Sequence, residues 1–235
     1  MARWGRAMRR LPRDATRVLD DGCAFGFFTR RLVRRYGAGA VAGVDLDAGA
    51  LAKARRALPG ADLREAPATA LPWPDAHFDA AVCLDVLEHV PDDAAAVAEL
   101  ARVVRPGGTV VVSVPHRGLL GGLDALNVYA RLLPGRPAPV DDPSWAERPH
   151  HRHYATEELR ALLAADFEVV DVRRTGTGLA EVAHLVVLLL TRAPGERLRP
   201  LWAVLRFAYY GLYALDDALP TGAAGYSLMV TARRR

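Results

Sequence analysis

The residues best suited to chemistry in this chain stand near its start, in Val18-Leu19-Asp20-Asp21-Gly22-Cys23-Ala24-Phe25-Gly26. An apolar run ends there in two carboxylates, and Gly22 and Gly26 then let the backbone come close to a ligand. Asp45 ends the next apolar run, 19 residues after Gly26. A carboxylate at that place accepts hydrogen bonds from two ribose hydroxyls. A nicotinamide dinucleotide asks for G-x-G-x-x-G, because its pyrophosphate rests on a helix N-terminus. The spacing here is different, and Asp20 and Asp21 would repel a pyrophosphate. They suit a ligand with a cationic end, an ammonium or a sulfonium.

Histidines supply the candidate general bases: His89, His116 and the cluster His150, His151 and His153, with His116, His89 and His151 the catalytic candidates. If Asp85-Val86-Leu87-Glu88-His89 is helical, Asp85, Glu88 and His89 share one face and form a weak candidate set for a divalent cation. The alternative is that they only shape a loop, and no metal is the expectation. Cys23 and Cys83 have no paired base in view and read as small buried residues rather than nucleophiles.

These residues need a frame. Residues 17–20, 41–45, 78–83 and 109–114 read as short buried strands, with a weaker one near Leu63. Helices are expected at about 26–36, 48–58 and 92–104, the last carrying Val97, Leu100, Ala101 and Val104 at helical spacing. Asp92 and Asp93 sit at its start, and Arg105-Pro106-Gly107-Gly108 stops it. Ala70–His77 holds two prolines and reads as loop. Strands alternating with helices imply a parallel sheet covered on both faces, and in such sheets ligands bind at the carboxyl edge. Further on, Thr156 reads as the N-cap of a helix, Phe167–Val172 as a strand, 180–190 and 198–215 as apolar helices, and Tyr226–Ala232 as a last strand.

The chain resembles the class I S-adenosylmethionine-dependent methyltransferases. The matching pieces are Leu19-Asp20-x-Gly22-Cys23-x-x-Gly26, Gly43-Val44-Asp45-Leu46-Asp47, Leu71-Pro72-Trp73, Phe78-Asp79, Leu87-Glu88-His89-Val90 and Leu100-x-x-Val103-x-Arg105-Pro106-Gly107-Gly108, in the family's order. The resemblance implies a Rossmann-like three-layer α/β sandwich, its seven-stranded, mostly parallel sheet ending in an antiparallel strand. It implies S-adenosyl-L-methionine as cofactor. Asp20 and the backbone of Gly22, Cys23, Ala24 and Gly26 would hold the methionine end, and Asp45 the ribose. Leu46 would pack on the adenine, Ala68 and Thr69 would border it, and Leu84 would lie near the methionine moiety. The Asp85, Glu88, His89 spacing is similar to that of ubiquinone-biosynthesis O-methyltransferases that bind a metal. In three places the chain departs from the family's pattern. Ala24 replaces a middle glycine, Asp21 an uncharged residue, and Pro67 an aspartate that bonds the adenine amino group.

The implied activity is methyl transfer to a small-molecule acceptor, at oxygen, with a non-catalytic cofactor-sensing module as the alternative. One domain over 1–235 is expected, its cofactor-binding core at about 17–115 and acceptor-binding elements at about 116–150 and 176–224. The apolar stretches 179–190 and 201–215 read as buried helices, or else as a cover for an apolar or lipid-linked acceptor or a peripheral membrane contact. The net charge of +4 is mild, and the terminal arginines read as solvated, so no nucleic-acid partner is expected. Two cysteines make no disulfide framework, the N-terminus lacks a secretory apolar stretch, and no run reaches membrane-spanning length. A cytoplasmic protein is expected. The oligomeric state is left open.

Overall fold

The computed structural model describes residues 2–118, 125–132, 152–176 and 225–235, with isolated positions between 182 and 215. In chain order the elements are α1 (Ala2–Arg10), β1 (Val18–Asp21), α2 (Thr29–Tyr36), a 3-10 turn (Ala38–Ala40), β2 (Val41–Asp45), α3 (Ala48–Ala57) and β3 (Asp62–Glu65). They continue with β4 (Phe78–Leu84), a second 3-10 turn (Leu87–His89), α4 (Asp93–Val103), β5 (Val104–Pro115), α5 (Ala125–Leu132), α6 (Thr156–Leu163), β6 (Phe167–Thr175) and β7 (Ser227–Arg234).

The strands form one sheet in the order β3-β2-β1-β4-β5-β7-β6. Pairing from β3 through β5 is parallel, with Asp20 opposite Gly43 and Val82, and Asp21 opposite Val44 and Cys83. Between β6 and β7 the direction reverses. Arg235 N–H donates to Asp166 O at one end and Tyr226 N–H to Gly176 O at the other. The result is the expected α/β architecture, a mostly parallel sheet whose last strand is antiparallel. Right-handed crossovers put α2 and α3 on one face and α4 on the other.

Contacts divide the chain into two compact units. The larger comprises residues 4–114, 156–172 and 229–235, and the smaller residues 1–3, 115–155 and 173–228. In the larger unit, Val18, Val41, Ala80, Val82 and Val111 of the strands pack with Phe28 and Leu32 near α2. A second cluster gathers Cys23, Leu51, Ala54 and Leu63 under α3.

The basic N-terminus is not the solvated tail that its composition suggested. Ala7 and Leu11 are buried in the core, Trp4 meets Phe28 edge-on at 6.2 Å, and Arg10 pairs with Asp171 at 2.7 Å. Its arginines hid an amphipathic pattern whose apolar side is Trp4, Ala7, Met8 and Leu11.

Two boundaries also differ. The helix expected from residue 26 starts at Thr29, because Gly22, Ala24 and Gly26 all take positive φ and hold the chain out of helix. The Arg105–Gly108 stretch lies within β5 as a bulge: Phe78 and Ala80 pair with Val104 and Thr109. Asp79, facing that bulge, accepts from Thr16 N at 2.7 Å, Thr16 Oγ1 at 2.8 Å, Arg17 N at 3.0 Å and Arg105 Nε at 2.7 Å. Burial alone would raise its pKa, but these donors hold the carboxyl well below its ordinary value.

The helices expected at 180–190 and 198–215 lie outside the described residues, apart from isolated positions. Among the described residues, no helix is long and apolar enough to cross a membrane. Leu32 is fully buried and Val170 is 59% exposed. Leu32→Ala should therefore cost about 2–5 kcal/mol of unfolding free energy, and Val170→Ala less than about 0.5 kcal/mol, as read by urea denaturation.

Candidate cofactor site

The turn after β1 is set by its own hydrogen bonds. Gly22 N–H and Cys23 N–H both donate to Val44 O at 2.9 Å, and Gly26 N–H donates to Cys23 O at 2.8 Å. Gly22 and Gly26 sit at φ +81° and +76°. A side chain at either would also meet protein: a Cβ at Gly22 would run into Val86 Cγ2, and a Cβ at Gly26 would lie 2.8 Å from Leu58 Cδ1. The glycines thus serve internal packing as much as an open approach for a ligand. Ala24 takes φ +43°, a strained value for a residue with a Cβ.

Asp45 holds the strained turn. Its Oδ2 accepts Ala24 N–H at 2.8 Å and its Oδ1 accepts Asp47 N–H at 2.9 Å. Asp47 in turn caps α3, accepting from Gly49 N at 2.8 Å and Ala50 N at 2.9 Å. Each Asp45 oxygen takes one backbone donor here and has a second lone pair to offer a hydroxyl.

Asp20 and Asp21 are both buried. Asp20 Oδ2 accepts the Thr29 hydroxyl at 2.6 Å, while Asp21 Oδ2 has no hydrogen-bond partner. Burial pushes the Asp20 carboxyl up to about 7, against the Thr29 bond and helped by Asp21 and Asp45. Burial likewise pushes Asp21 up to about 7, against a hydrogen bond from Cys83 and helped by Asp45. Both cysteines are buried, and burial raises both thiols, so neither is held as a thiolate nucleophile.

Of the other expected contacts, Leu46 is 67% exposed just past β2, available to a ring laid on it. Ala68 is buried and Thr69 half-buried in a turn closed by Ala70 N–H to Pro67 O at 3.0 Å. Leu84 is half-buried at the end of β4.

The premise for a metal set at Asp85, Glu88 and His89 is not met. Asp85 lies at φ +59°, and only Leu87–His89 turn, as 3-10, so the residues do not share an α-helical face. Asp85 is instead tied to β5: its N–H donates to Ser113 O at 2.9 Å and its Oδ1 accepts Ser113 Oγ at 3.0 Å. Among the described residues no three His, Cys, Asp or Glu side chains group closely enough to hold a metal ion.

In the smaller unit, His116 follows β5 directly and is buried, with Nδ1 2.7 Å from Gly225 O. A carbonyl only accepts, so Nδ1 carries the proton and Nε2 the lone pair. Burial, with help from Arg174 and His153, lowers the His116 pKa against the Gly225 bond. Tyr154 N–H donates to Pro115 O at 2.9 Å, which sets His153-Tyr154 beside this strand end. His150 and His151 lie outside the described residues.

Three features escaped the sequence reading. Thr29 braces Asp20, and its signal was a hydroxyl one helical turn past Gly26. The Gly225 carbonyl that orients His116 had no sequence signal. Phe25 and Phe27 flank Gly26 as exposed aromatic rings 6.1 Å apart, with Lys53 Nζ 5.0 Å from the Phe25 ring.

Residues 19–112 match the family model described as a methyltransferase domain. A probable S-adenosylmethionine-dependent methyltransferase of Mycolicibacterium smegmatis is 36% identical over 172 residues, 70% of this chain and 58% of the relative. The match therefore spans little more than half of that relative's length. Trans-aconitate 2-methyltransferase of Methylobacterium nodulans is 34% identical over 230 residues, 94% of this chain and 86% of the relative. Among solved structures, an S-adenosylmethionine-dependent methyltransferase from Mesorhizobium loti aligns at TM-score 0.61 and 23% identity, covering 100% of this chain and 98% of that one.

Two outcomes follow from this geometry. Gly22→Ala should destabilise the fold by about 1–3 kcal/mol, and Val86→Ala in the same chain should recover part of the loss, as a double-mutant cycle on denaturation would read. Asp20 and Asp21 hold protons in the folded chain up to about pH 7, whereas the unfolded chain releases them near 4. Their contribution to stability is therefore complete below pH 4 and is lost as pH rises to 7. Asp21→Asn should flatten that decline and leave the variant about 2 kcal/mol more stable than the parent at pH 8. Equal pH profiles would contradict the burial of Asp21.

Proposed function

Because the chain belongs to the S-adenosylmethionine-dependent methyltransferases, we propose that its cofactor lies across the ends of β1 and β2 and that it methylates a small molecule at oxygen. The observation carrying the first part is the set Asp20, Asp21 and Asp45, where burial raises the two β1 acids and Asp45 keeps lone pairs for hydroxyls. Such acids fit a ligand with a sulfonium and an ammonium, and would oppose a pyrophosphate. Asp45 takes the ribose hydroxyls. Leu46 supplies an apolar face for the adenine, bordered by Ala68 and Thr69. Asp20 and the backbone of Gly22, Cys23, Ala24 and Gly26 hold the methionine end, with Leu84 beside it. When bound, S-adenosylmethionine supplies a methyl group already activated on its sulfonium.

What remains for the chain is to position the acceptor and, for a hydroxyl, to take its proton. His116 is the base we favour over His89 and His151. Its Nδ1–H is fixed on Gly225 O, and its lowered pKa keeps it neutral at pH 7 with Nε2 as the accepting nitrogen. Residues 116–150 and 176–224 supply acceptor contacts, and the apolar runs 179–190 and 201–215 suit an apolar or lipid-linked acceptor.

Asp45→Ala should weaken S-adenosylmethionine binding by about 1–3 kcal/mol in calorimetry. An unchanged dissociation constant would remove the ribose from Asp45. His116→Gln should lower kcat on hydroxyl acceptors by about 10²–10⁴-fold while cofactor affinity holds. In the parent, kcat should fall on the acid side with an apparent pKa below the ordinary histidine value. A panel of hydroxyl, amine and carboxylate acceptors, scored by S-adenosylhomocysteine formed, identifies the accepting atom. Turnover confined to amines or carboxylates would refute the oxygen-and-base reading.

A further inference from the structure

We propose that Asp21, which no expected cofactor contact uses, holds a proton in the empty enzyme and gives it to solvent when the cationic cofactor binds, so that cofactor affinity rises with pH through neutrality. The proposal rests on the cofactor site described above.

Asp21 is the last residue of β1, in register with Val44 on one side and Cys83 on the other. It is 2% exposed, and its Oδ2 has no hydrogen-bond partner. Water does not solvate this carboxyl, and the protein satisfies only part of it. An ionised carboxylate so placed carries a large desolvation cost.

The titratable groups that bear on this cluster come from every neighbouring element. β1 itself contributes Asp20, and the following turn Cys23. β2 contributes Asp45, β4 Cys83, and the segment after β4 Asp85 and Glu88. Every one of these six is an acid or a thiol. Asp20 has the Thr29 hydroxyl at 2.6 Å, a bond that favours its ionised form, and Asp45 has two backbone amides. Asp21 has an oxygen with no donor at all, so it holds a proton alongside Asp20 rather than resting as a bare carboxylate.

A ligand carrying a sulfonium and an ammonium changes this balance. Positive charge brought to the ends of β1 and β2 favours ionised carboxylates, so the proton on Asp21 leaves for bulk water. Linkage makes the effect reciprocal: what cofactor does to the proton, pH does to the cofactor. The raised pKa of Asp21, about 7, places the transition at physiological pH.

The test is titration calorimetry of the full chain with S-adenosylmethionine at pH 7, in buffers of different ionisation enthalpy, repeated from pH 6 to 8. The parent should release at least about half a proton per cofactor at pH 7 and bind at least about fivefold more tightly at pH 7 than at pH 6. Asp21→Asn and Asp21→Val, each checked for folding by circular dichroism, should release about half a proton less than the parent at pH 7 and show a correspondingly shallower pH dependence. If neither variant folds, the buffer dependence of the parent still decides. Binding by the parent with a heat independent of buffer, or equal release by the variants, overturns the proposal and leaves the cofactor site standing. Absence of binding by the parent overturns both.

Discussion

Two adjacent carboxyls kept out of water at the end of β1 are the constraint around which this site is organised. The sheet core cannot accept such charge without compensation, and three things limit the cost. The Thr29 hydroxyl bonds Asp20, the Cys83 thiol bonds Asp21, and protonation of both acids extends toward neutral pH. Asp45 completes the group from the next strand, and its amide partners bind the turn to β2. The site therefore has an unmet demand for positive charge, which a cationic cofactor seated there as proposed would meet.

The same region shows how packing and conformation were solved together. Gly22 and Gly26 are required twice, once by left-handed φ and once by the side chains of Val86 and Leu58 against them. Gly43 likewise leaves room for Cys23, whose Sγ would lie 3.0 Å from an added Cβ. Ala24 is the exception, since it accepts a left-handed backbone with a methyl group in place. The Asp45 carboxylate on its N–H compensates part of that strain.

Much of the fold was legible because buried parallel strands are short apolar runs ended by turn residues. β2 was read at its observed ends, β1 and β4 within a residue, and α4 (Asp93–Val103), expected at about 92–104, by its spacing. The N-terminal helix was hidden by its arginines, because charge count says nothing of which side of a helix carries it. The Asp85–His89 segment failed for another reason: a left-handed residue at Asp85 breaks the periodicity on which a helical reading depends. The positions of Asp20, Gly22 and Asp45 could be inferred from spacing. The bonds of Thr29 to Asp20 and of Cys83 to Asp21, and in the smaller unit that of His116 to Gly225, could not, because tertiary approach makes them and one-dimensional pattern does not record it.

The hydrogen bond from Asp47 N–H to Asp45 joins two parts of the chain that look separate. One carboxylate anchors the strained turn at Ala24, and the residue it anchors on its other oxygen seals the first turn of α3. The turn and the first turn of α3 are thus linked through one side chain. The amides of Ala24, Asp47, Gly49 and Ala50 are all held by these two carboxylates, and a sugar seated on Asp45 would be felt along a helix it does not touch.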